Sequence, residues 1–469
     1  MWPPPPPPDE SELEKSLRIQ EENIAAARSR EIDLQIESDR LEAQKNRRPI
    51  RILLLGRQPF LFHSSMSQGE SGKSTILKNF QFHFAPNAFK EDSPAWRAVI
   101  HLNLVSVVNF ILDLFPTSSP AQARDGRVGS PRNGANDADG TATDEIKQLK
   151  MRLRPLREVE AILSRRLGLD KSLSRRASNV TLGSDHSSST KPTEIVVRSG
   201  SGWKALSRLR GPGGQDRINE TRQIIAACCA DIVAVWENEA VQSVILEHGE
   251  FQEQTTTFFL NNALRICQMD YEPTIDDILR TRLTTIGVEE HLLTLEGGQI
   301  EQRNQEWVIY DVGGSRTQRA AWVPYFDDVT AIIFIVPLSA FNQVLDEDTN
   351  VNRLFDSFQL WRTICNSKVL ADITFIIIFN KRDLLAKKLE AGIQFKDIVT
   401  SYKDKPNDAE NVSKYLRQKF AGIHKELSPI HRPLFSHVTC AIDSQATSIV
   451  LVRIREILLR MNLKDTELI

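Results

Sequence analysis

Gly69-Glu70-Ser71-Gly72-Lys73-Ser74-Thr75 is the stretch on which the fold turns. It comes after a short apolar run, Ile50 to Leu55, which ends on Gly56 and reads as a buried strand. It opens a helical stretch from Thr75 to Phe84. Glycines let successive backbone N–H groups wrap a phosphate, and a helix N-terminus adds a favourable dipole. In such a loop Lys73 reaches the β- and γ-phosphates and the Ser74 hydroxyl coordinates Mg²⁺, while Glu70, Ser71, Gly72 and Thr75 line the cradle. The loop departs from its signature in one place. A glycine is required five residues before Gly72, where the chain has Ser67, and the strand-ending Gly56 lies eleven residues earlier still. Removing about eleven residues, Arg57 to Ser67, restores an uninterrupted loop. The extra segment is apolar where a tight turn is required. Two readings follow: a retained short intron or other gene-model error, or a genuine bulged loop that would endanger phosphate contacts.

Downstream, Asn380-Lys381-Arg382-Asp383 ends an apolar strand, Thr374 to Phe379. The Asp383 carboxylate can accept from the N1 and N2 donors of guanine, a pattern adenine lacks, and Lys381 can lay its aliphatic stem over the ring. Thr439-Cys440-Ala441 follows the next strand and would bring a backbone N–H to the guanine oxygen. Asp311-Val312-Gly313-Gly314 ends the strand Trp307 to Tyr310. Asp311 would hold Mg²⁺ through water, and Gly314 would donate its N–H to a γ-phosphate. At Leu279-Arg280-Thr281-Arg282-Leu283-Thr284-Thr285 a threonine can ligate Mg²⁺ and an arginine just before it can neutralise phosphate charge in the transition state.

Strands at 307–311, 331–336, 374–380 and 435–439 alternate with helices near 352–365, 412–426 and 448–461, which implies a mostly parallel sheet covered on both faces. Between the phosphate loop and this region the pattern is helical, over 96–115, over 146–168 as a basic amphipathic helix, and over 220–279. Ser, Pro, Gly, Asn and Asp dominate 116–145, and Ser and Gly tracts mark 172–216. Both read as low-complexity, disordered chain. Arg175-Arg176-Ala177-Ser178 within the second tract suits a basic-directed protein kinase. Pro3 to Pro8 form an extended tail, and 10–47 read as a polar helix with a thin apolar seam at Leu17, Ile24, Leu34 and Leu41.

The 469 residues suffice for two to three domains, and a charged share of 26% is that of an ordinary globular protein. A net charge of −2 provides no global field toward nucleic acid or acidic lipid. Five cysteines without paired spacing read as thiols in a reducing compartment. The start lacks a signal-peptide pattern, and apolar runs such as Ala331 to Leu338 are too short to span a bilayer.

These motifs together resemble the alpha subunits of heterotrimeric G proteins, over about residues 10–115 and 218–469. Gly-Glu-Ser-Gly-Lys-Ser at 69–74, Leu-Arg-Thr-Arg at 279–282, Asp-Val-Gly-Gly at 311–314 with Trp322 beyond it, Phe-Asn-Lys-Arg-Asp-Leu at 379–384, Thr-Cys-Ala at 439–441 and the tail Asn462-Leu-Lys-Asp465 carry the likeness in family order. The resemblance implies an α/β fold: a Ras-like P-loop GTPase domain with a mostly parallel six-stranded sheet, and an all-α domain inserted between its first helix and second strand. It implies a Pro-rich tail (1–9), a partner-binding helix (10–48), the first part of the GTPase domain (49–88), a helical domain (89–279) interrupted by a disordered insert at about 116–217, and the rest of the GTPase domain (280–469). The implied activity is GTP hydrolysis with Mg²⁺, the protein being on with GTP and off with GDP. Arg282 matches the family's transition-state arginine, and Ser74 and Thr285 match its magnesium ligands. The implied partners are a beta–gamma dimer, met by the N-terminal helix and the segment after Gly314, a seven-helix receptor at the C-terminus, and an effector protein the sequence does not identify. Nucleic acid is not among them.

Further departures shape the expectation. Ser315 stands where the family has its water-positioning glutamine, so hydrolysis is expected to be slow. A GTP-binding scaffold with little hydrolysis is therefore an alternative reading. A chain without a working site and a P-loop kinase are more distant ones. The N-terminus lacks Met-Gly and a nearby cysteine, and Thr466 replaces a C-terminal cysteine, so lipid anchors are not expected. Localisation is expected to be cytoplasmic and peripheral at the inner face of the plasma membrane, through partners.

Overall fold

The computed structural model describes residues 15, 23, 28–30, 49–56, 71–115, 138–167, 196–198, 214–248, 254–281, 284–286, 288–296, 306–313, 316–326, 328–345 and 348–465. The chain divides into two units, residues 1–49 and 50–469. Of the helix expected at 10–48, residues 15, 23 and 28–30 are described, and they are helical and exposed.

In the second unit, β1 (Ile50–Gly56) leads through the phosphate loop into α1 (Lys73–Phe84). The strands β4 (Val288–Thr294), β5 (Glu306–Val312), β6 (Ala331–Pro337), β7 (Thr374–Asn380) and β8 (Leu434–Val438) complete a six-stranded sheet in the order β4-β5-β1-β6-β7-β8. Only the β4–β5 pair is antiparallel. Successive side chains of a strand point to opposite faces, and in the central strands β1, β6 and β7 both faces are buried, which is why these strands are mostly apolar. Leu53, Leu55, Ile332, Phe334, Phe375, Ile377 and Phe379 share one core with α12 (Arg353–Cys365) and α15 (Ala409–Leu427), through Trp361 and Phe420. Ile52, Leu54, Ile333, Ile335, Ile376 and Ile378 share the other with α1 and α16 (Ser444–Asp465), through Phe80, Leu451 and Ile454.

A third core belongs to the helices between α1 and β4. Its centre is α3 (Ser93–Asp113), preceded by α2 (Pro86–Glu91) and surrounded by α4 (Ala138–Arg152), α5 (Leu156–Arg166), α6 (Gly214–Ala227), α7 (Cys229–Glu237), α8 (Glu239–His248), α9 (Gln254–Asn261) and α10 (Ala263–Ile266). α3 is the one helix among the described residues long and apolar enough to cross a bilayer, but 78% of its apolar window is buried inside the fold. It is the core helix of this domain. A last short helix, α11 (Ile275–Arg280), leads out of the domain.

The reading of 116–217 as a disordered interruption needs correcting over 138–167. Ile146, Leu149, Leu153, Leu156, Val159, Leu163 and Leu167 are buried at helical spacing in the same core as α3. Lys150 donates to the carbonyls of Leu112 and Phe115 at 2.8 and 2.9 Å, and Asn109 donates to Glu160 at 2.7 Å. The single helix expected over 146–168 is two, broken at the turn before Leu156, where Pro155 has no N–H to continue the ladder. Within the same stretch, β2 (Val196–Arg198) pairs in parallel with β3 (Thr284–Ile286).

Candidate functional site

The site lies at the carboxyl ends of β1, β5, β7 and β8, where open α/β sheets place their ligands. Its floor is the start of α1. Gly72 caps this helix with φ 94°, a left-handed conformation that glycine adopts without penalty. A Cβ there would come within 2.1 Å of Asn380 Nδ2, so no other residue fits. Lys73 is buried, and its Nζ donates to the Gly56 carbonyl at 2.9 Å. Gly56 also abuts Ser71, since a Cβ added to it would lie 2.7 Å from Ser71 Oγ. In space, therefore, Gly56 stands beside Ser71 and Lys73 as the opening glycine of the loop, although sequence spacing places it eleven residues too early. The segment 57–67 falls outside the described residues.

Two hard oxygen donors meet beside Lys73. Ser74 Oγ donates to Asp311 Oδ2 at 2.8 Å, from the first turn of α1 to the end of β5. Burial pushes the Asp311 carboxyl above its ordinary range, and the Lys73 charge and the Ser74 hydroxyl pull the other way. A buried carboxylate next to a hydroxyl suits Mg²⁺, which takes one or two protein oxygens and completes its shell with phosphate and water. A divalent cation there would also offset the burial cost of the Asp311 charge.

Asn380 holds three segments together. Its Nδ2 donates to the Ser71 carbonyl at 2.9 Å, and its Oδ1 accepts from the Ala441 N–H at 2.9 Å. Buried, it braces the phosphate loop and the Thr439-Cys440-Ala441 turn from behind. Lys381 follows in a left-handed conformation, φ 62°, and caps α13 (Arg382–Glu390). That bend carries the chain around to Asp383 in the first turn of the helix. Burial, together with the adjacent Asp383, which hydrogen-bonds it, pushes the Cys440 thiol up to about 11, so the thiol is neutral at physiological pH. Thr447 Oγ1 donates to the Cys440 carbonyl at 3.1 Å and pins the turn to α16.

The structure thus brings together Ser71, Gly72, Lys73, Ser74, Asp311, Asn380, Lys381, Asp383, Cys440 and Ala441, and Thr75 sits in the first turn of α1. Glu70, Arg282, Gly314 and Ser315 lie outside the described residues, and of Thr285 the backbone alone is described, within β3. Gly313, just before them, accepts from Trp322 Nε1 at 2.9 Å, which ties the strand end to the 3₁₀ helix Arg316–Tyr325.

Two supporting residues escaped the sequence reading. Asn79 donates to the Ala441 carbonyl at 2.9 Å, linking α1 to the turn. Lys78, buried over the Trp96 ring, donates to the carbonyls of Ile278 and Thr281 at 3.0 and 2.6 Å. It fastens the exit of the helical domain to α1. Each sits one helical turn from a motif residue, but its partner is hundreds of residues away, which no local pattern reveals.

Comparison with known proteins agrees with this geometry. The family model for the G-protein alpha subunit matches residues 26–458. The chain is 28% identical to the guanine nucleotide-binding protein alpha-4 subunit of Mycosarcoma maydis, over 98% of this chain and 94% of that protein. It is 26% identical to the alpha-16 subunit of Caenorhabditis elegans, over 95% of this chain and 97% of that protein. With the alpha-15 subunit of the same organism identity is 35%, over 50% of this chain and 63% of the relative.

Proposed function

Because the chain belongs to the G-protein alpha-subunit family, we propose that it is a switch that GTP turns on and GDP turns off, slow to turn itself off, coupling a seven-helix receptor to an effector with a beta–gamma partner. It is a guanine-nucleotide-binding signal transducer and a GTPase. The observation carrying the proposal is the convergence of four sequence-distant motifs at one sheet end, with Asn380 bridging two of them.

The residues divide the work. Gly72 and the N–H groups at the start of α1 cradle the phosphates, and Lys73 adds a charge that burial leaves poorly screened. Ser74 and Asp311, with Thr285, are the groups that would hold Mg²⁺, which when bound neutralises charge on the β- and γ-phosphates. Asp383 selects guanine, and the Thr439–Ala441 turn closes over the base. Arg282 neutralises charge on the transferring phosphoryl group. The Ser315 hydroxyl is too short to hold the attacking water where a glutamine amide would, so turnover falls on the order of 10²-fold. The protein acts at the cytoplasmic face of the plasma membrane, carried there by its partners.

The test pairs equilibrium binding of a non-hydrolysable GTP analogue with single-turnover GTP hydrolysis. The full chain binds the analogue and hydrolyses slowly, and Ser315→Gln speeds hydrolysis without changing analogue affinity. Hydrolysis by the unaltered chain as fast as by the Ser315→Gln variant would refute the assigned role of Ser315. Absence of guanine-nucleotide binding would remove the switch reading altogether.

A further inference from the structure

The helical domain contributes a strand to the segment that carries Thr285. β2 runs parallel to β3 with Val196 opposite Thr284, Val197 opposite Thr285 and Arg198 opposite Ile286. Both triples sit in sequence suited to pairing. Ile195-Val196-Val197 is a β-branched run between Ser-Ser-Ser-Thr at 187–190 and Ser-Gly-Ser-Gly at 199–202, and Thr284-Thr285-Ile286 is β-branched throughout. Three paired residues are too few to associate on their own. Here both strands belong to one chain, so the local concentration of β2 at β3 is that of a tethered ligand.

The position of β3 gives this pairing a consequence. On the N-terminal side, Lys78 holds the Thr281 carbonyl at 2.6 Å. On the C-terminal side, β4 begins at Val288, paired with Val312 next to Asp311. β3 itself lies against β4 and β5. The segment between these anchors carries Thr285, which on the reading proposed above would hold Mg²⁺, so contact with a γ-phosphate and its ion would order it. A strand laid along it supplies order from within the protein.

We propose that Val196–Arg198 is a built-in clasp that keeps Thr284–Ile286 extended in the GDP state as well as the GTP state, so that this half of the switch responds weakly to the γ-phosphate. The proposal rests on the guanine-nucleotide switch reading. The test is amide hydrogen exchange on the full chain, with GDP and with a non-hydrolysable GTP analogue. It compares the unaltered protein with a V196G/V197G variant and with V196T/V197T, which keeps β-branching. In the unaltered protein the 284–286 amides are protected with either nucleotide. In V196G/V197G they exchange about 3- to 10-fold faster with GDP, as expected for loss of one ladder hydrogen bond, and protection returns with the analogue. V196T/V197T behaves as the unaltered protein. Protection of 284–286 in the unaltered chain only with the analogue overturns the clasp, and so does equal exchange in V196G/V197G and the unaltered chain with GDP. Exchange of α3 amides checks that the variants fold. If neither nucleotide binds, the switch reading fails by itself, while the difference between V196G/V197G and the unaltered chain still reports the pairing.

Discussion

At the scale of single residues the site depends on a few atoms that tolerate no change. Gly72 is the clearest case, because its left-handed φ and its approach to Asn380 each exclude a side chain. Gly72→Ala should cost about 1–3 kcal/mol of stability from backbone strain alone. It should also abolish nucleotide binding, by displacing Asn380 from the Ser71 carbonyl. Thermal unfolding and binding of a fluorescent GDP check the two parts separately. Asp277, wholly buried ahead of the domain exit, accepts from Arg265 at 2.6 and 2.8 Å, from Tyr271 at 2.9 Å and from the Thr274 N–H at 2.9 Å. Burial alone would push its carboxyl up, but the bonds from Arg265, Thr274 and Tyr271 outweigh it and hold the group below the ordinary 3.8. A depressed carboxylate stabilises the fold above its unfolded value, and that contribution is lost as pH falls through the folded value. Asp277→Asn should therefore lower the unfolding midpoint at pH 7, and the gap to the unaltered chain should narrow as pH falls below about 4, as thermal melts across that range would show.

At the scale of elements, the exit from the helical domain is fastened by a helix that belongs to the sheet. Lys78 of α1 gives its ammonium to two carbonyls, at the last turn of α11 and just beyond it. Lys78→Met strips the Thr281 carbonyl of its lysine donor where water is excluded, at about 1–3 kcal/mol, while the Ile278 carbonyl still accepts from the Thr281 N–H at 3.1 Å. The expected outcome is a lower denaturant midpoint together with faster release of labelled GDP. A lower midpoint with unchanged release would show the contact to be structural only. This element also marks where sequence reading stops. Strands β1, β6 and β7 were legible because they are buried on both faces and apolar at nearly every position, Arg51, Thr374 and Asn380 excepted. β4 was not, because Val288-Glu-Glu-His-Leu-Leu-Thr is an edge strand with Glu290, Leu292 and Thr294 exposed on one face and Glu289 and His291 half-buried on the other. The motif residues could be named from order and spacing, but the bracing by Asn79 and Lys78 could not, since those bonds span 362 residues and 200 to 203 residues. The placement of Gly56 beside Lys73 was hidden for the same reason: spacing along the chain says nothing of where an added loop returns.

At the scale of the whole molecule, two hydrophobic cores flank one sheet, while a third belongs to helices contributed by a single excursion of the chain. Composition alone does not separate them, yet their periods do: two in the sheet, 3.6 in the excursion. The order of synthesis gives α3 a problem that the finished fold conceals. Its apolar surface is complete once Asp113 has left the ribosome, but α5, its main partner, begins roughly 40 residues downstream and α9, which also packs on it, roughly 140, about 7–28 s later at ordinary elongation rates. During that interval a 21-residue helix with the hydropathy of a membrane span waits for its partners, with α4 and α5 as its earliest cover. A nascent chain at this stage presents the surface that chaperones and membrane-insertion machinery both recognise. The timing of translation across 114–253, alongside the stability of the folded protein, then bears on how much of the chain reaches its native state.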